Sequence, residues 1–170
     1  MERGDKLYTI GHSNIPIGDF ISILNHFSIE VLVDVRSVPF SEYAPWFNRE
    51  MLSKTLSKEA IIYHYMGAIL GGRPKDSSCY RQGKPDYTLI REKDFYKNGI
   101  ERLIKGIRRY RIAVMCSEED PKNCHRRNLI GLDLYKSGIR IIHIRHDLRL
   151  EEDNYEDEML MESQGKLFGG

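Results

Sequence analysis

Short apolar, β-rich runs recur along the chain between segments of helix length, the pattern of a parallel sheet covered by helices. Five strands are predicted: Lys6 to Ile10, Val31 to Val35, Ile61 to Tyr65, Ile112 to Cys116 and Ile139 to Ile144. The second and fourth run continuously apolar rather than alternating, which marks central strands buried on both faces. Between the strands, Pro16 suits a first helical turn, and Ile17, Phe20, Ile21 and Leu24 repeat at helical spacing. Asn48 is a candidate N-cap for a helix to about Lys58, and Asp94 opens a longer one to about Arg109. Pro121 begins another, with Leu129, Leu132 and Tyr135 facing inward, which stops at Gly138. The order predicts a single three-layer α/β domain over residues 1–150: a mostly parallel central sheet of about five strands flanked by helices, with right-handed crossovers.

Two segments break this plan. Residues 67–92 carry Gly71-Gly72-Arg73-Pro74, Ser77-Ser78-Cys79-Tyr80 and Gly83-Lys84-Pro85, and form a long insertion loop of the kind that is either a functional lid or disordered. Residues 151–170 hold seven acids against the single base Lys166 and are expected to be a mobile acidic tail.

At 170 residues with 41% hydrophobic content, one core suffices without a disulfide or metal staple. The longest apolar runs, such as Ile141 to Ile144, fall far short of the roughly 18 residues of a membrane span. The charged start Met1 to Lys6 is followed by no apolar export segment, and three cysteines fit a reduced compartment, so a cytoplasmic location is expected. The net charge of +1 is a cancellation: residues 1–150 carry 25 bases and 18 acids, the tail one and seven. Such a tail could cover a basic surface and compete there with an anionic ligand.

Ligands of open α/β sheets bind beyond the carboxyl ends of the strands. Here those ends are polar: Gly11-His12-Ser13-Asn14, then Asp34, Arg36 and Ser37, then Tyr65 and Leu70-Gly71-Gly72-Arg73, then Cys116-Ser117-Glu118, followed by Cys124-His125-Arg126. Arg36, Arg73 and Arg126 are candidates to hold an anionic substrate, since guanidinium forks match phosphate oxygens, with Ser37 and Tyr65 beside them. Glu118 and Asp34 are candidate acid/base groups, and His12 and His125 candidate proton-transfer groups. Asp34 with Arg36 reads equally as an ion pair capping the sheet edge.

Cys116 at a strand end reads either as a nucleophile or as a buried packing residue, and the acids Glu118, Glu119 and Asp120 behind it favour packing. Cys116, Cys124 and His125, with His12, could also hold zinc. The seven residues between the cysteines depart from zinc-module spacing, so no metal is assigned. No cofactor is implied, and a GxGxxG fingerprint is absent.

Between Arg73 and Arg111 twelve bases face five acids, interleaved with Tyr80, Tyr87, Phe95, Tyr96 and Tyr110. This is either a solvated helix face or a surface for a nucleotide or single-stranded nucleic acid.

Thr9-Ile10-Gly11-His12-Ser13, Leu32 to Arg36 with Pro39 and Ser41, Leu70-Gly71-Gly72, and Met115 to Glu118 through Pro121 to Cys124-His125-Arg126 together resemble a known family. They resemble the signature blocks of family 488 of the domains of unknown function, found in bacteria and archaea, over about residues 7–145. The resemblance implies a compact α/β domain with this polar edge and names no reaction. A looser likeness is to rhodanese-like sulfurtransferases, whose cysteine follows a strand like Ile112 to Cys116. Their amide cradle is replaced here by the acidic Ser117 to Asn123. The favoured expectation is an enzyme acting on an anionic substrate, a nucleotide or nucleic acid. The alternatives are a cysteine-dependent sulfur or group transferase using Cys116, and a non-catalytic nucleic-acid or protein-binding domain.

Overall fold

The computed structural model describes residues 5–168; Met1 to Gly4 and Gly169-Gly170 lie outside the described residues. The predicted strands form as β1 (Lys6–Gly11), β2 (Val31–Asp34), β3 (Ile62–Tyr65), β6 (Ile112–Cys116) and β7 (Arg140–Ile144). A sixth member, β8 (Leu150–Asp153), pairs antiparallel with β7, and the sheet order is β3-β2-β6-β1-β7-β8. The other pairings are parallel. The central strand β6 lies between β1 and β2, so the chain leaves β1 towards one side and β6 towards the other. That reversal places the ends of β1, β2 and β6 at a topological switch point.

Alternation along the strands splits the core in two. Leu7, Val33, Ile112, Val114 and Ile141 pack on one face with Tyr96, Leu103 and Ile107 of α5 (Asp94–Ile107) and with Leu129 and Leu134. Tyr8, Ile10, Leu32, Met115 and Ile144 pack on the other, against Phe20 and Leu24 of α1 (Ile17–His26) and Leu52 and Leu56 of α2 (Arg49–Lys58). Each such fully buried apolar side chain contributes roughly 1.5–3 kcal/mol. Asn48 precedes α2 but does not cap it; its Oδ1 accepts from the Ser41 amide instead.

The insertion is ordered. It contains α3 (Gly67–Leu70), a hairpin of β4 (Tyr80–Arg81) and β5 (Lys84–Pro85), and α4 (Tyr87–Arg91). Gln82 and Gly83 both have positive φ, the geometry of a two-residue hairpin turn, and glycine supplies it at no steric cost. The helix expected from Pro121 is broken into three. A 3₁₀ turn at Pro121–Asn123 leads to extended Cys124, then a π-helical segment at Arg126–Gly131 and the short α6 (Leu132–Lys136).

Within the segment 151–170, read from the sequence as a mobile acidic tail, residues 151–153 complete β8 and Glu156–Phe168 form α7. Their acids pair with Arg127, Lys136, Arg140 and Arg145, none of which lines the pocket described below. No helix among the described residues is long and apolar enough to cross a membrane.

Candidate functional site

A cavity of about 1070 Å³ opens at the carboxyl edge of the sheet. Its floor is Cys116 at the end of β6, together with Cys124 and His125, and exposed Ser117 and Glu118 lie at the rim; one wall is Arg36-Ser37-Val38, and the other is the insertion. The two sulfurs are joined, with Cα atoms 7.6 Å apart, where the sequence favoured separate reduced thiols. The loop from Ser117 to Asn123 doubles back, so residues eight apart in sequence meet in space.

His125 is oriented by its ring. Nε2 lies 2.9 Å from the Val35 carbonyl, which can only accept, so Nε2 carries the proton. The lone pair of Nδ1 then faces Cys124 Sγ at 3.7 Å. Burial lowers the His125 pKa to about 4, against a smaller raising effect of the Val35 contact. At neutral pH the ring is therefore an unprotonated acceptor beside a cysteine.

Of the three acids that the sequence set against a thiolate, Glu118 shares the cavity with Cys116 and the other two are engaged elsewhere. The Glu119 carboxylate turns away to Arg145 at 2.7 and 2.8 Å, and Asp120 accepts from the Lys122 amide. Arg126 takes their place. It is fully buried and directs Nη1 to Cys116 Sγ at 3.5 Å, while its backbone amide reaches Cys124 Sγ at 3.5 Å. The same guanidinium donates to the carbonyls of Glu118 and Glu119 and to Thr9 Oγ1. Arg126, expected to bind substrate, thus holds the loop under the pocket rather than lining it. Thr9 Oγ1 also shares a hydrogen bond with His143 Nδ1 at 2.7 Å, and His143 Nε2 lies 2.9 Å from the Asp153 carboxylate. Gly11 makes the close approach possible, because a Cβ there would land on the Glu118 carbonyl.

Asp34 and His12 belong to a closed network beside the pocket. Asp34 is fully buried and accepts from Arg36 Nε at 2.9 Å, Arg36 Nη2 at 2.8 Å and the Tyr63 hydroxyl. His12 donates from Nδ1 to the Ser13 carbonyl at 2.6 Å and accepts at Nε2 from Arg36 Nη1 at 3.2 Å, stacked on Phe47. Both ring nitrogens are spent, and neither Asp34 nor His12 lines the cavity. Tyr65 bonds the carbonyls of Arg36 and Ser37 from behind the wall. Of the expected site residues, Arg36, Ser37, Arg73, Cys116, Glu118, Cys124 and His125 line the cavity together.

The sequence reading did not single out Arg81 and Lys84 as wall residues and named Tyr87 only among the rings of a broader basic surface; the length of the insertion was the signal that could have found them. Arg36 is neutralised by Asp34, and Arg81 lies 3.3 Å from Asp86. Arg73 and Lys84 are exposed, and neither side chain has an ion-pair partner among the described residues. Of the five rings interleaved with bases, Tyr96 is core and bonds Asp133, and Tyr80 is tied to the Pro74 carbonyl.

Burial, opposed by the Ser13 contact and helped by Arg36, also lowers the His12 pKa to about 4. Between about pH 6.5, where an unfolded histidine titrates, and about 4, the unfolded chain binds more protons than the fold. Stability should therefore fall steadily as pH drops through that window. Thermal melts at stepped pH check this; His12→Gln should flatten the profile, and a wild-type melting temperature constant across the window would contradict it.

In comparison with known proteins, residues 16–132 match the family model described as Domain of unknown function DUF488. The span includes Asp34 to Arg36, Leu70 to Gly72 and Cys116 to Arg126, and leaves out Thr9 to Ser13. No curated protein and no solved structure matches the chain.

Proposed function

The chain belongs to the Domain of unknown function DUF488 family, and from the pocket that its fold carries we propose that it is an enzyme acting on an anionic, phosphate-bearing substrate. The observation that carries this reading is the pairing, in one cavity, of Arg73 and Lys84, whose side chains have no ion-pair partner among the described residues, with a floor of two sulfurs and a neutral imidazole. Arg73 and Lys84 hold the anion, and the reacting atom sits over Cys116, Cys124 and His125. Glu118, exposed at the rim, is the proton-transfer group. The cavity is large enough for a nucleotide, and Tyr87 in its wall offers a ring for a base. Asp34, His12 and Arg126 are positioning residues in this account.

A second reading, cysteine-dependent group transfer, is favoured by the His125 Nδ1 lone pair beside Cys124. In it Cys124 is the attacking thiolate and Cys116 its partner. That chemistry needs the pair reduced, which fits a cytoplasmic setting.

Calorimetric titration with pyrophosphate tests the substrate class. Binding is expected, weakening with added salt and by roughly tenfold in Lys84→Glu or Arg73→Glu, the effect of about 1.4 kcal/mol of charge interaction. Absence of binding, or affinity unmoved by both reversals, would overturn it.

A further inference from the structure

Three potential ligand atoms, Cys116 Sγ, Cys124 Sγ and one His125 ring nitrogen, lie within 4.8 Å of one another. We infer that, with the cysteine pair reduced, these side chains form a zinc site whose remaining coordination position opens into the pocket. Two thiolates and an imidazole are the donor set that zinc prefers, and three protein ligands with an open position is the arrangement of zinc sites that do chemistry.

The local geometry agrees on three counts. The Cys124 Sγ to His125 Nδ1 distance of 3.7 Å is close to the about 3.6 Å that ligands at ordinary zinc–sulfur and zinc–nitrogen lengths subtend across a tetrahedral ion. The other ring nitrogen, Nε2, donates to the Val35 carbonyl, which fixes the tautomer that leaves Nδ1 free to ligate. The Cα separation of 7.6 Å is wide for a cysteine pair, so once the sulfur–sulfur bond is opened the two side chains can part to flank an ion. Each sulfur also receives an N–H, from the Arg126 guanidinium and the Arg126 amide, which supports negative charge on both.

The pair must first be opened. A phosphine supplies the two electrons and becomes its oxide with oxygen from water, and the disulfide gains two electrons and two protons. Zinc then displaces the two thiol protons as two sulfur–zinc bonds form. A small disulfide such as oxidised glutathione takes two electrons and two protons and leaves as two thiols, which re-forms the Cys116–Cys124 bond and releases the ion. The site stands on its three ligands; its use on substrate rests on the pocket reading above, with the metal polarising an anion held by Arg73 and Lys84.

The test uses the whole chain, reduced with a phosphine and freed of metal. Zinc titrated against a chromophoric chelator should bind at one ion per chain, and cobalt(II) should give sulfur-to-metal charge-transfer absorption. Cys116→Ser and Cys124→Ser should each weaken zinc binding by more than the roughly 10–100-fold that loss of a supporting hydrogen bond costs. Should a serine variant fail to fold, wild-type protein oxidised at the pair serves instead and should take up no zinc. The inference is overturned if protein whose thiols react with a thiol reagent binds neither ion, or if binding survives both substitutions or oxidation. Lys84→Glu separates the two readings. It should lose pyrophosphate affinity and keep zinc, so absent zinc with intact pyrophosphate binding sinks the metal site alone, and the converse sinks the pocket reading alone.

Discussion

Replacing Asp34 by Ala should cost about 3–5 kcal/mol, a large share of the stability of the fold, since that is the usual penalty for stranding one member of a buried ion pair. Whole domains are stable by only about 5–15 kcal/mol. The cost arises at Arg36. Its guanidinium is 4% exposed and makes two contacts with the Asp34 carboxylate, one with the Phe47 carbonyl and one with His12. Without Asp34, a full positive charge stays in the core with only neutral acceptors, and Tyr63 loses the partner of its hydroxyl. Urea unfolding measures the effect as a lowered midpoint. The double variant Asp34→Ala with Arg36→Met should recover part of the loss, because it removes the stranded charge along with its partner. Wild-type stability in Asp34→Ala, or a double variant worse than the sum of the singles, would show that the pair does not hold this edge together.

The same residues show how far the sequence could be read. β2 and β6 were legible because parallel strands covered on both faces must be apolar throughout. β8 was not, since Leu150-Glu151-Glu152-Asp153 reads as an acidic run; it is an edge strand whose acids meet Arg140, Arg145 and Arg127. The acids of α7 hid a helix in the same way, two of them neutralised by Arg127 and Lys136 across the fold. The single helix expected after Pro121 failed because local signals cannot register that Arg126 must turn inward to reach four partners.

At the site, the gathering of polar residues at strand ends was legible from topology. Which of them face the cavity was not. Asp34 and Glu118 are both carboxylates beyond a strand, and only the packing of Phe47, Tyr63 and Arg36 around the first separates a sealed ion pair from an exposed rim group. Cys124 was discounted on spacing along the chain, a measure that loses meaning where the Ser117 to Asn123 loop folds back on itself.

The central claim, that two sulfurs form the floor of an anion-attracting pocket, is tested most directly by the alkylation rates of Cys116 and Cys124 in reduced, metal-free protein. Anionic iodoacetate is compared with neutral iodoacetamide, and the modified peptides are resolved by mass. Arg73 and Lys84 should draw the anion in, and steering of this kind raises encounter rates by about tenfold or more. The iodoacetate-to-iodoacetamide ratio should therefore exceed that of a small free thiol by roughly tenfold at low salt. It should fall with added salt and collapse in Lys84→Glu combined with Arg73→Glu. A ratio equal to that of the free thiol and indifferent to both charges, or sulfurs that neither reagent reaches, would contradict the account.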